Sequence, residues 1–321
     1  MRYIGIDVSK ATLMVAYPQD NKKYKTREFQ NTSTGIHSLI ATLQADDHCV
    51  MEATGNYGYL LLYLLDKAGI CTSMENPLKV KNFARTMLSV TKTDKADAKL
   101  LSLYGERMKP EPYKIPSEAL LLLKQKRAVL RQFKKQLLAN NNLKKALEAM
   151  PEQDHKAIKA IEKVTNTLEE QIKAVEEELN TLTQAEFNQQ MSRLTTIKGI
   201  GTTLAAALII TTGGFTYFDN AKQVSRYLGL CPTYQQSGTS IHVKGHINRN
   251  GDPYLRAQLY TASWSMIKYN TACRELFTRL KERGKSGKLA LVAVMNKSIR
   301  QCFAVVKHDT DYQEDFVSKK P

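Results

Sequence analysis

The amino-acid sequence predicts a mixed α/β layer domain, with helices on both faces of its sheet, followed by two helical regions. Three observations carry that expectation. Residues 3–75 read as a meander of strands and then as alternating helix and strand, the pattern of a layered sheet. Residues 117–190 contain no glycine, and their one proline, Pro151, interrupts long helical repeats. The remainder mixes apolar helical segments with a basic, glycine-broken stretch.

Taken in order, RYIGIDVSKATLMVAYP reads as a strand, a short turn around Ser9 and Lys10, and a second strand from about Leu13. NKKYKTREFQN alternates as a third strand does. TSTGIHSLIATLQ has helical spacing through Ile36, Leu39, Ile40 and Leu43. HCVMEATG suits a buried strand, followed by a helix from about Tyr57 to Ala68 and the strand ICTSMEN. A last helical stretch is expected from about Pro77 past Leu103, closing a domain of residues 1–115.

The second region, residues 116–190, repeats Ile158, Ile161, Val164, Leu168, Ile172, Val175, Leu179 and Leu182 at alternating steps of three and four. That is a coiled-coil seam, and Pro151 marks the turn between two antiparallel arms. The first arm is basic (Lys124, Lys126, Arg127, Arg131, Lys134, Lys135, Lys144, Lys145), and the second is acidic along Glu169–Glu178. Pairing within one hairpin and dimerisation through the arms both satisfy this pattern.

The third region, residues 191–321, opens with LTTIKGIGTTLAAALI. Gly199 and Gly201, beside Lys198, separate two helical segments as a helix–hairpin–helix turn does, freeing backbone N–H groups to reach a phosphate. Downstream, SGTSIHVKGHINRNGDPYLR brings Lys244, Arg249 and Arg256, expected phosphate contacts.

Composition narrows the function. Lys and Arg number 47 against 31 Asp and Glu, a formal charge of +16, which points to a polyanionic partner. Five scattered cysteines form no C-x-x-C pair, against a disulfide framework or a structural zinc site. No leader and no bilayer-spanning apolar run are expected, so the reading is a reduced, cytoplasmic protein with no membrane partner.

Against that basic background, Asp94 and Asp97 stand three residues apart in TKTDKADAKL, on one helix face. Asp7 closes the first strand and Glu52 closes the strand CVMEATG. If the first and fourth strands are neighbours, those two acids share the sheet edge where open α/β sheets bind ligands. Four converging carboxylates call for divalent cations, and Mg²⁺, a hard ion that takes oxygen ligands, fits best. The plainer alternatives are a turn role for Asp7 and a helix-cap role for Asp94.

The ordered set YIGIDVSK, MEATGNY, K-T-D-x-x-D-A, IKGIG, GLCPTYQQSGTS and GHINRNGDPYLR resembles the DEDD insertion-sequence transposases, which include Piv-type DNA invertases and bridge-RNA-guided recombinases. The resemblance covers nearly the whole chain. It implies an RNase H-like (RuvC-like) domain, a coiled-coil insertion, and a mainly helical C-terminal transposase domain bearing a catalytic serine. The family's acidic tetrad falls on Asp7, Glu52, Asp94 and Asp97, and its Ser-Gly motif on Ser237-Gly238. Gln235 and Gln236 stand before that serine, where relatives often carry charged or other polar residues.

The resemblance further implies Mg²⁺-assisted attack by Ser237 on a DNA phosphate, giving a phosphoserine link. It implies acid and serine sites united between protomers of a dimer that assembles to a tetramer. It also implies a noncoding guide (bridge) RNA that pairs with element ends and target DNA, so that base pairing reads sequence and the protein reads backbone. Three rivals are distinguishable. A RuvC-like junction resolvase would use water and tolerate loss of Ser237. An actin-like or sugar-kinase ATPase would follow Asp7 with a glycine phosphate loop, where this chain has Val8, Ser9 and Lys10. An RNA-binding scaffold would tolerate loss of the acids.

Overall fold

The computed structural model describes residues 2–20, 23–53, 55–88, 93–237, 241–247 and 251–314, with backbone alone for 233–237 and 241–246. It divides into two compact units, Met1–Ile115 and Pro116–Pro321.

The first unit is built on one five-stranded sheet. Its strands are β1 (Tyr3–Val8), β2 (Thr12–Pro18), β3 (Tyr24–Gln30), β4 (His48–Glu52) and β5 (Cys71–Glu75), in the order β3-β2-β1-β4-β5. β1 pairs antiparallel with β2 and parallel with β4; β4 pairs parallel with β5. Alternation along β1 sends Ile4, Ile6 and Val8 to one face. There they join Ile36 and Leu39 of α1 (Ser33–Ile40) and Leu61, Leu62 and Leu65 of α2 (Tyr59–Lys67) in one core. The opposite face carries α3 (Pro77–Thr86) and α4 (Asp94–Met108), with Val50, Val80, Leu101 and Tyr104 packed together.

The single helix expected from Pro77 past Leu103 is therefore two. α3 ends at Met87, and α4 restarts with its own N-cap, Thr93, whose hydroxyl accepts from the Ala96 N–H at 3.2 Å. Asp94 is accordingly the first helical residue and not the cap. Both acids lie in the first turn, where the helix dipole favours negative charge.

The second unit opens with an antiparallel hairpin of α5 (Glu118–Glu148) and α6 (His155–Glu186), joined through the segment that holds Pro151. Lys126 pairs with Glu178, Lys134 with Glu176 at 2.5 Å and Lys144 with Glu162 at 2.8 Å. Basic and acidic arms thus neutralise each other within one chain. Each such exposed pair contributes only about 0–1 kcal/mol, so the apolar seam between the arms holds the hairpin.

Leu123 and Leu179 of that hairpin enter a core shared with α7 (Asn188–Thr195), α8 (Thr202–Thr212), α9 (Ala221–Tyr227), α10 (Pro253–Tyr269), α11 (Thr271–Glu282) and α12 (Gly287–Lys307). A hairpin of β6 (Pro232–Ser237) and β7 (Ile241–Ile247) stands between α9 and α10.

Two expectations need correcting here. α12 is long and apolar enough, by length and composition, to cross a bilayer, where no such run was expected. Half of it is buried in the protein: Leu291, Val294, Met295, Ile299 and Cys302 fill the core, which accounts for its composition. The Gly-broken stretch from Ser237, read only as a basic segment, supplies β7, which pairs with β6 just before it. Thr233, Tyr234, Ile241 and Val243 are strand-forming residues on either side of a Ser-Gly turn signal, the cue that identifies it.

Candidate functional site

The parallel register of β1 and β4 pairs Gly5 with Val50 and Ile6 with Met51. One step further, Asp7 and Glu52 stand side by side at the two strand ends. Both belong to the α4 face, because Ile6 and Met51 point into the core on the other side. β5 extends the row, since Glu52 pairs with Glu75.

α4 runs across this face antiparallel to β1. Its far end lies over the start of the strand, where Ser102 Oγ bonds the Tyr3 carbonyl and Gly105 abuts the Tyr3 ring. At Gly5 the strand meets Ala98 and Ser102. Following the helix back by one turn brings its acidic start, Asp94 and Asp97, to the sheet end that holds Asp7. The four acids therefore share one unit and one sheet end. Among the described residues no group of three His, Cys, Asp or Glu side chains closes into a metal-holding set. The donor chemistry, carboxylates alone from two strand ends and a helix start, fits a hard divalent cation.

Glu75 was not anticipated. It is 8% exposed and lies 3.0 Å from Lys79; burial, and after it the Glu75 charge, push the Tyr104 hydroxyl up to about 12. Its signal was available: both parallel strands end in Met-Glu, at Met51-Glu52 and Met74-Glu75.

In the second unit, Ser237 is the last residue of β6, opposite Ile241. The side chains of Ser237 and Lys244 lie outside the described residues, as do Gly238 and Arg249 entirely. Gly199 and Gly201 occupy the turn between α7 and α8. Gly199 has φ +95°, and a Cβ there would approach Met266 of α10 to 2.7 Å, so glycine serves both backbone geometry and packing. Gly201 is the N-cap of α8 with open space around it. Lys198 holds Glu314 at 2.6 Å, and Arg256 Nη1 lies 3.4 Å from the Leu228 carbonyl.

A cleft of about 400 Å³ between α5 and the start of α10 adds cations that the sequence assigned only to the basic arm of the hairpin. Asp252, N-cap of α10, binds Arg127 Nη2 at 3.1 Å and also Arg131, while Lys124 lines the same cleft. Burial lowers the Arg127 pKa to about 10, assisted by Arg131 and opposed by Asp252. Burial raises the Asp252 pKa, but the two guanidinium groups outweigh it and hold the carboxyl below its ordinary value.

A five-stranded 3-2-1-4-5 sheet with carboxylates at the ends of its central parallel strands defines an RNase H-like domain. The comparisons take this further. A DEDD model of the IS110 type, described as Transposase, matches residues 4–151, and the Transposase IS116/IS110/IS902 family model matches 191–278. The chain belongs to the IS110-type transposases and recombinases, and it is an enzyme of DNA strand cleavage and transfer.

Among relatives, the pilin gene-inverting protein of Moraxella bovis is 29% identical over 97% of this chain and 98% of its own length. The insertion element IS110 uncharacterized 43.6 kDa protein of Streptomyces coelicolor is 33% identical over 37% of this chain and 29% of its own. The solved RuvC of Thermus thermophilus aligns over 35% of this chain and 100% of its own at 17% identity and a TM-score of 0.26, so the fold assignment rests on strand order.

Proposed function

We propose that this chain is an RNA-guided DNA recombinase that cuts and rejoins strands through a serine. Asp7, Glu52, Asp94 and Asp97 would hold Mg²⁺. The bound ion neutralises charge on the phosphodiester. What supports the reading is the β1–β4 register, which sets the strand ends of Asp7 and Glu52 next to each other, together with the antiparallel run of α4 that directs its acidic first turn toward that end, in a chain of net charge +16.

Ser237 is the nucleophile of this reading. Its Oγ forms a bond to phosphorus as the phosphorus–oxygen bond to one deoxyribose breaks; the serine proton leaves and the departing oxygen gains one. Attack by a new deoxyribose hydroxyl reverses the exchange, so the chain joins what it cuts without hydrolysis. Lys198, Lys244, Arg249 and Arg256, with the N–H groups of the Gly199–Gly201 turn, hold backbone phosphates of element ends, target DNA and a noncoding guide RNA. Sequence is then read by base pairing. Inversion, as the name of the Moraxella bovis relative suggests, is one outcome of such joining. The enzyme works in the cytoplasm at the nucleoid.

The acids and the serine belong to different units, and assembly from more than one protomer supplies both. α5 carries a stripe suited to a second copy. Leu122, Val129 and Leu143 are about half exposed, with Gln125, Gln132, Gln136 and Ala139 at the coiled-coil positions between them, Ala146 at the next, and no charge along the line.

Labelled DNA incubated with the protein and Mg²⁺ is expected to give a protein–DNA adduct on a denaturing gel, absent in Ser237→Ala. Cleavage that survives this substitution without an adduct would establish the water-using nuclease instead.

A further inference from the structure

α12 ends in a Schellman turn: Asp309 takes φ +51°, and the Thr310 N–H bonds the Val305 carbonyl at 3.1 Å. The turn sends the following residues back over the α7–α8 connection and the start of α11. Arg193 donates to Asp309 at 2.9 Å and to Asp311 at 2.6 Å. The Tyr312 N–H bonds Thr196 Oγ1 at 2.9 Å, while its hydroxyl lies 3.1 Å from Asn270 Oδ1 and 3.2 Å from Gln301 Nε2. Glu314 receives the Lys198 ammonium at 2.6 Å and the Thr271 hydroxyl at 2.7 Å.

These partners have the chemistry of a phosphate site. An ammonium, a hydroxyl and the first turn of the twelve-residue helix α11 converge on the Glu314 carboxylate. Lys198 first, then Thr271, keep that carboxyl below its usual range. On the same segment, the Arg193 guanidinium binds two more acids. A strongly basic chain has thus placed three of its scarce acids on the cations that flank its Gly199–Gly201 turn.

We propose that Arg193, Thr196, Lys198 and Thr271 form a phosphodiester-backbone site, occupied by the chain's own acidic tail until nucleic acid displaces it. The inference deepens the preceding reading and rests on it. Displacement is cheap, because Asp309 and Asp311 are 50% and 64% exposed and such pairs are individually weak. A polyanion brings several phosphates at once and releases condensed counterions, an advantage the tail lacks. Tyr312, seated between Asn270 and Gln301, gives the tail a fixed register and so makes it a competitor of defined strength. The device lets extended, multiply contacted nucleic acid in and keeps isolated anions out.

The test is fluorescence anisotropy of a labelled DNA duplex with three full-length proteins. They are the wild type, Asp309→Asn/Asp311→Asn/Glu314→Gln, and a control with the same gain in charge, Glu169→Gln/Glu170→Gln/Glu177→Gln on α6. The tail variant is expected to bind about five- to thirtyfold tighter than the control, with a salt slope steeper by about two. Adding Lys198→Ala to the tail variant is expected to remove most of that gain. Equal affinity of the tail variant and the control overturns the inference while leaving the proposed function standing, as does a Lys198→Ala addition without effect. Failure of all three proteins to bind DNA overturns both.

Discussion

Gly5 of β1 and Ala98 of α4 meet backbone to backbone: a Cβ on Gly5 would stand 1.9 Å from the Ala98 carbonyl oxygen. This contact seats the helix that carries Asp94 and Asp97 on the strand that carries Asp7. Nothing but glycine fits without lifting α4 from the sheet.

Gly5→Ala is therefore expected to cost about 1–3 kcal/mol, as overpacking does. It should also reduce recombination by roughly a hundredfold or more, the scale of an ångström-level misplacement. Urea unfolding and a strand-exchange assay measure the two effects separately. Full activity in this variant would show that the spacing of β1 and α4 does not matter to the site.

Asp97→Asn is expected to abolish strand cleavage while leaving the melting temperature within a few degrees of wild type. Asn at this position keeps the shape, and the helix-dipole interaction it weakens is worth about 0.3–1 kcal/mol. Calorimetry alongside a cleavage assay checks the separation.

Asp252 makes a pH prediction. Its folded pKa lies below that of an unfolded carboxyl, so its stabilising effect is fully present above about pH 4 and is lost as pH falls through the folded value. Asp252→Asn keeps a cap for α10 but leaves Arg127, 12% exposed, without its counter-charge. The expected cost is about 3 kcal/mol near neutral pH. The gap from wild type should narrow below about pH 4. Denaturant titrations at several pH values test the slope, and a gap independent of pH would refute it.

Charge placed on the α5 stripe should act on assembly before folding. Leu122→Lys/Val129→Lys is expected to lower the sedimentation mass to that of one chain without loss of helical circular dichroism. Unchanged mass would exclude the stripe as the contact between copies.

Nucleic-acid binding is expected to weaken by about a thousandfold or more between roughly 50 and 200 mM salt if six or more phosphates are held. Equilibrium titration of any duplex of adequate length supplies the measurement.

The meander of β1–β3, the alternation of helix and strand after it and the long hairpin were legible because each rests on local periodicity. The break between α3 and α4 was hidden: no proline or glycine interrupts the stretch from Leu78 to Tyr104, and the restart is marked only by Thr93 before Asp94. α12 illustrates the opposite error, since an apolar helix inside a core and one inside a bilayer share a composition. The tail could not be foreseen at all. Asp309, Asp311 and Glu314 read as solvated acids until their partners, more than a hundred residues away for Arg193 and Lys198, are known.

The sequence by itself determined the alternating faces of each strand, the seam of the hairpin, the excess of positive charge and the residue types available for phosphate chemistry. Each of these depends on spacing within a few residues. Only the tertiary structure decided that β1 lies beside β4, that α4 crosses them with its acidic end at the same edge, and that Asp309, Asp311 and Glu314 cover Arg193 and Lys198. Those are contacts between distant segments, fixed by packing and close backbone approach, and no local pattern encodes which distant partner a side chain will meet.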